Sequence, residues 1–240
     1  MRLLYCLQDP AQELRFGFHV AKDPQNAINI LYNTSKLISN SKKGKISNVE
    51  DKWIMSKLNN LIEKITVDLE SLHPHIATRS LKDFWLNDFS RQYIQTVRDR
   101  ISKEDENVKF VMKEVYTTLL KLCSPMIPFV TEKAWQELKE RKIVDEESMH
   151  LCDWPKADKK KININLEKMM EHALQITERG LALRDKAQIG LKWPLPKITI
   201  YIKGKENFKD LQDIIKSQLN VKEIKFESPA SKGTEFDIEL

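Results

Sequence analysis

The chain has 240 residues, 41% apolar and 31% charged, with 6 Gly, 9 Pro and a formal net charge of +5. That size allows one large domain, or a medium one with a small one, built mostly of regular structure; the mild positive charge permits a polyanionic partner without demanding one. Cys6, Cys123 and Cys152 are odd in number, far apart and without CxxC spacing, which argues against a disulfide framework and fits a reducing cytosol.

In chain order, Leu3 to Leu7 is an apolar run that ends at Gln8 and Asp9. It is far too short for a signal peptide or a membrane span. Coming directly after Met1, it reads as strand or core, the mark of a truncated N-terminus. Residues 1–19 form a connecting segment, broken at Pro10 and Gly17. From Val20 the pattern is helical to about Ser39, with Ala27, Ile30, Leu31, Leu37 and Ile38 on one stripe. Residues 40–48 are a polar, lysine-rich loop. Ile54, Leu58, Leu61, Ile62, Ile65, Leu69 and Leu72 step by three and four, so a second helix is expected, ended by His73-Pro74. A third runs from about 75 to 101 and a fourth from about 107 to 123. A short fifth starts near Pro128, a favoured first-turn position, and reaches about Arg141.

Residues 142–162 are an irregular connection. A sixth helix follows from about Asn165 and is stopped by Gly190 and Pro194. After Pro196 the period becomes two: Ile198, Ile200 and Ile202 alternate with Lys197, Thr199, Tyr201 and Lys203, as in a half-buried strand. A helix near 208–219, a strand near 221–226 and a third strand over 236–240 complete the pattern. The expected fold is mainly α: a bundle of antiparallel helices over 20–195, then a small α/β module over 196–240.

No catalytic signature is present: no GxGxxG, P-loop, GxSxG, HExxH or CxxC. His150-Leu151-Cys152 offers two potential metal ligands, too few for a structural zinc site, so no metal is expected. Met55-Ser56-Lys57 has the letters of an ATP-phosphate loop, but it lies inside a strict helical stripe where a mobile loop has no place. His73 and His75 flank Pro74, where capping or packing is their expected role.

The third helix, RSLKDFWLNDFSRQYIQTVRDR (79–100), is the most informative segment. From 79 to 103 it carries six basic residues against three acidic ones. At ~100° per residue, Leu86, Phe89, Tyr93, Val97 and Ile101 share one face. Arg91, Gln95 and Arg98 fall together on the other, with Phe84 beside them. Arg pairs with phosphate or stacks on a base, and Gln reads a base edge. Spacing alone favours a solvated polar face, supported by neighbouring Asp residues. Arg184, Lys186, Lys192 and Trp193, at the end of the sixth helix, form a second basic group. There too, cations near a helix C-terminus complement its dipole without any ligand.

Several strings resemble isoleucyl-tRNA synthetases of the archaeal and eukaryotic type. LRDKAQIGLKWPL (183–195) is similar to their R-x-x-A-x-I-x-x-R/K-x-P-L segment. DKWIMSKLNNLIEKIT (51–66) resembles their D-R/K-W-I-L-S-R/K-L-N opening, and DFSRQYIQTVRDR (88–100) their D-x-S-R-x-Y-I-x-x-x-R-x-R helix. ESMHLCDWP (147–155) resembles an S-x-H-x-x-D-W-P loop. SPMIPFVTEKAWQEL (124–138) resembles a helix-break-helix signature shared with the valyl and leucyl enzymes. LYCLQDPAQELRFG (4–17) looks like the segment just after the catalytic KMSKS loop. Gln92 departs from the Trp that relatives often carry there.

The resemblance covers about 1–203 and implies the C-terminal, anticodon-binding region of such an enzyme. It implies tRNA(Ile) and the catalytic domain of the same polypeptide as partners, a cytoplasmic setting and no membrane. It also implies tRNA contacts from Arg91, Gln95, Arg98, Arg100, Arg184, Lys186, Lys192 and Trp193. ATP and magnesium belong to the parent ligase; no cofactor and no catalytic residue are expected in this chain, which lacks the HIGH and KMSKS signatures and the editing domain. The same region of a valyl enzyme and a helical protein-interaction module are the alternatives.

Overall fold

The computed structural model describes residues 1–14, 16–41, 43–202, 208–227 and 236–239. They form two compact units, Met1–Ile162 and Asn163–Leu240. The sixth helix groups with the small module in this division, whereas its apolar stripe alone had assigned it to the bundle.

The first unit is helical. It comprises α1 (Arg2–Leu7), α2 (Phe18–Thr34), α3 (Val49–Glu70), α4 (Pro74–Asp83), a π-helical stretch (Phe84–Tyr93), α5 (Ile94–Thr96), α6 (Arg98–Ser102), α7 (Glu106–Cys123) and α8 (Pro128–Glu140). Leu3–Leu7, read as strand or core, lies in α1, with Leu3 and Leu4 in the core. The helix packs on α4, so tertiary burial decides a segment too short to show a period. α3 lies between α4 and α7, and α7 also packs on α8. Their stripes meet in a core of Ile54, Leu58, Ile65, Val111, Val115, Leu119 and Trp135. Pro74 and Pro128 open α4 and α8, where a missing N–H is harmless. Asp105 caps α7, its carboxylate accepting from the Asn107 N–H at 2.8 Å.

The third predicted helix is not a uniform α-helix. Over Phe84–Tyr93 the ladder is π, and the Ile94 N–H bonds back to the Phe89 carbonyl. Phe84, Phe89 and Ile94, five apart, are therefore all buried, as are Trp85, Tyr93 and Val97. This corrects the 100° wheel. Phe84 is core, 2% exposed, and does not flank the Arg91 row, while Leu86 is only half-buried.

The second unit contains α9 (Ile164–Lys186), β1 (Leu195–Ile202), α10 (Gln212–Leu219), β2 (Val221–Glu227) and β3 (Phe236–Glu239). The sheet order is β2-β1-β3, with β1 parallel to β2 and antiparallel to β3. Parallel neighbours need a crossover, which α10 supplies. Asn220 ends α10 in the left-handed region (φ 49°), a conformation Asn tolerates better than most residues. α9 packs on α10, and a Cβ at Gly180 would lie 2.8 Å from Leu219 methyls. Lys203 and Leu240, at the ends of the expected strands, lie outside the described residues. Among those described, no helix is long and apolar enough to cross a membrane.

Candidate nucleic-acid interface

The buried side of the third helix is a polar cluster. Tyr93 donates its hydroxyl to Asp51 at 2.8 Å. Arg100 uses its whole guanidinium: Nη2 meets Asp51 at 2.9 Å, Nη1 meets Glu50 at 2.6 Å, and Nε meets Asp105 at 2.9 Å. Asp51 is completely buried. That burial raises its pKa against the hydrogen bonds from Arg100 and Tyr93. Burial, and then the Asp51 charge, raises the Tyr93 pKa as well. At Arg100 burial disfavours the charge, but hydrogen bonds to Asp51 and Asp105 outweigh it and raise the pKa. Asp105 is held low, against its own partial burial, by Arg100 and the Asn107 N–H. Arg100 is thus a crosslink between α3, α6 and the cap of α7. Its guanidinium is matched by three carboxylates, so its charge is already answered within the unit.

The opposite face is open. Arg91, Gln95 and Arg98 are exposed in a row that runs out of the π stretch through α5 into α6. Arg91 Nη1 donates to Asn87 at 3.1 Å, and Asn87 donates to Asp83 at 2.6 Å, a light i,i+4 ladder on the surface. The side chains of Gln95 and Arg98 make no hydrogen bond or ion pair among the described residues. Polar groups free on a helix, with the helix locked from behind, suit an anionic and base-bearing partner.

In the second unit, α9 ends in a Schellman motif: the Ile189 N–H reaches the Arg184 carbonyl and the Gln188 N–H that of Asp185, with Gln188 at φ 55°. Arg184 is only 2% exposed. Its Nη2 donates to the carbonyls of Gly190 (2.9 Å) and Trp193 (2.6 Å). Arg184, expected among the tRNA contacts, is thus turned inward onto the backbone of the following turn. Lys186, Lys192 and Trp193 are exposed.

Other motif residues are structural. Met55 and Ser56 are buried within α3, and Lys57 pairs with Asp88 at 3.1 Å. Ser148 donates to Glu132 at 3.0 Å, Trp154 to Thr66 at 2.9 Å, and Asn59 accepts the Asp158 N–H at 2.7 Å, so the 147–158 loop is fastened to α8 and α3. The His73 and His75 rings meet edge to face at 6.1 Å. Among the described residues no group of three or more His, Cys, Asp or Glu is placed to hold a metal ion. Glu50 and Asp105 were missed from sequence as partners of Arg100. A buried Asp at the head of one helix with Tyr and Arg on another was the available signal.

Residues 51–201 match the family described as the anticodon-binding domain of tRNA ligase. The chain is 33% identical over 237 residues to the isoleucine–tRNA ligase of Pyrococcus abyssi, covering 90% of this chain and 22% of that protein. The isoleucine–tRNA ligase of Methanopyrus kandleri is 30% identical, with 90% and 22% covered, and that of Methanocella arvoryzae is 31% identical, with 99% and 24% covered. The chain thus spans less than a quarter of the length of these relatives. With well over half of it matched, the chain belongs to the anticodon-binding domain family of tRNA ligases.

Proposed function

We propose that this member of the family is the tRNA-engaging part of an isoleucine–tRNA ligase, holding tRNA(Ile) for aminoacylation by a catalytic domain of the same polypeptide in the cytoplasm. One observation carries it: the exposed Arg91–Gln95–Arg98 row, on a helix locked from behind, in a chain of an anticodon-binding family. Arg91 and Arg98 supply charge for phosphates, and Gln95 supplies an amide for a base edge. Lys186, Lys192 and Trp193 form a second contact region. Isoleucine is favoured over valine by the names of the relatives at 30–33% identity. Isoleucine activation, with ATP and magnesium, then falls to the catalytic domain.

The test is titration of the chain with an isoleucine tRNA transcript at several salt concentrations. Binding should weaken linearly on a log–log plot, because each phosphate contact releases counterions. Affinity indifferent to salt would sink the reading and favour an apolar protein partner. Separately, the pure chain should show no isoleucine-dependent ATP–pyrophosphate exchange.

A further inference from the structure

The turn after α9 is fastened from inside to an unusual degree. The Trp193 N–H closes the turn on the Gly190 carbonyl at 3.0 Å. Arg184 binds the carbonyls of both Gly190 and Trp193. Asn220, from the left-handed cap of α10, donates its side-chain amide to the Leu191 carbonyl at 2.8 Å, and its own carbonyl accepts the Leu195 N–H at 3.0 Å. Three carbonyls of the turn are thus held from within the unit. What the turn presents outward is an indole, 71% exposed, beside Lys192.

Folding alone does not explain this arrangement. An indole left in water forgoes most of its burial energy, and a flexible turn would let it collapse onto the protein. Arg184 adds a second anomaly. Its Nε and Nη1 are buried and have no hydrogen-bond partner among the described residues. A guanidinium held only by two carbonyls keeps its positive charge unneutralised, and a buried charge is poorly screened by salt. Lys192 precedes the indole in the chain, and Lys186 stands in the last turn of α9; both are exposed. An indole held out in water on a turn fastened from within, next to a lysine, matches one chemistry best: a nucleotide whose unpaired base stacks on the ring.

We propose that Trp193 is a stacking platform for an unpaired base of bound RNA, and that Arg184 is the positioning residue that holds the turn so the indole stays out. This rests on the tRNA reading above, but it assigns a site in the second unit that the helix row does not involve. Arg184 acts through the turn it holds, not by touching the base.

The experiment follows tryptophan emission and affinity on adding an isoleucine tRNA transcript, with a blunt RNA duplex as control. Trp53, Trp85 and Trp135 are buried and Trp154 is half-buried, and all four are kept in the variant, so the difference between wild type and Trp193→Leu isolates the exposed indole. The tRNA should quench that component and the duplex should not. Trp193→Leu should weaken tRNA binding roughly 5- to 150-fold, the range for loss of one stacked base. Arg184→Met should weaken binding to a similar degree, and the double variant should be no worse than Trp193→Leu alone, since both changes remove one unit. Wild-type affinity in Trp193→Leu, equal quenching by the duplex, or multiplied losses in the double variant would each overturn the proposal. If Arg184→Met fails to fold, Trp193→Leu decides alone, because its side chain packs on little. Should Arg91 and Arg98 variants still lower the salt slope while Trp193→Leu is neutral, only this inference falls. If wild type binds no tRNA, the functional reading falls with it.

Discussion

Arg100 and Arg184 look alike in sequence: each ends a basic helical string, and each is folded inward. Their surroundings differ in kind. Arg100 meets three carboxylates with Nε, Nη1 and Nη2 all engaged. Arg184 meets two carbonyls through one nitrogen and leaves Nε and Nη1 unmet. The first is a neutralised crosslink between helices. The second is an unneutralised charge beneath a turn that displays an aromatic ring. Burial therefore does not by itself remove an arginine from function; what decides is whether its charge is already answered.

The largest expected effect is at the crosslink. Arg100→Met leaves Asp51 and Glu50 without their cation, and breaking a buried pair this way costs about 3–5 kcal/mol in denaturant unfolding. The loss should depend on pH. Burial already raises the Asp51 pKa, and without the guanidinium it rises further above the unfolded value. A carboxyl raised on folding destabilises when ionised and is relieved as pH falls through its folded pKa. The variant's deficit should thus be greatest at neutral pH and shrink toward the carboxylate range. Wild type should change less, because Asp105, held low, loses its contribution over the same descent. A deficit that grows on acidification would contradict the assignment.

Tyr93→Phe comes next. It removes one donor from a buried carboxylate, at a cost of about 1–3 kcal/mol. Arg184→Met should cost less than Arg100→Met, below about 2 kcal/mol: two hydrogen bonds to carbonyls are lost, but so is an unneutralised buried charge. Equal losses at the two arginines, by thermal or urea unfolding, would break the comparison.

Sequence was most legible where a long period repeats. The stripes of α3, α7 and α9 stand largely as their spacing predicts, and so does the switch to period two at β1, because burial of one face is what writes the period; Leu72, counted in the α3 stripe, instead lies past the end of that helix, at positive φ and 83% exposed. The π stretch was not legible: a wheel assumes its own pitch, so Phe84 and Leu86 exchanged places. The helical form of α1 was hidden by its shortness. At the interface, exposure of Arg91, Gln95 and Arg98 followed from local geometry, since all three lie away from any reading of the core face. The fate of Arg100 depends on Asp51 and Glu50 arriving from α3, about fifty residues away, and that of Arg184 on the chain turning back over it after α9; a helical period encodes neither.

The smallest expected effect on stability belongs to the exposed row, and it is the one that tests recognition. Arg91→Ala and Arg98→Ala, singly or together, should change unfolding by no more than about 0.5 kcal/mol, because neither side chain is buried and only Arg91 has a surface partner. Each phosphate contact removed should lower the salt slope of tRNA binding by about one unit, so the double variant should lose about two. Gln95→Ala carries no charge and should leave the slope alone. If the amide reads a base edge, its loss should instead narrow the preference between cognate and non-cognate tRNAs by about 1–3 kcal/mol. Slope and preference thus separate the two kinds of contact within one row. An unchanged slope in the double variant would mark Arg91 and Arg98 as an ordinary solvated face, and would leave the turn at Trp193 as the place to look for RNA.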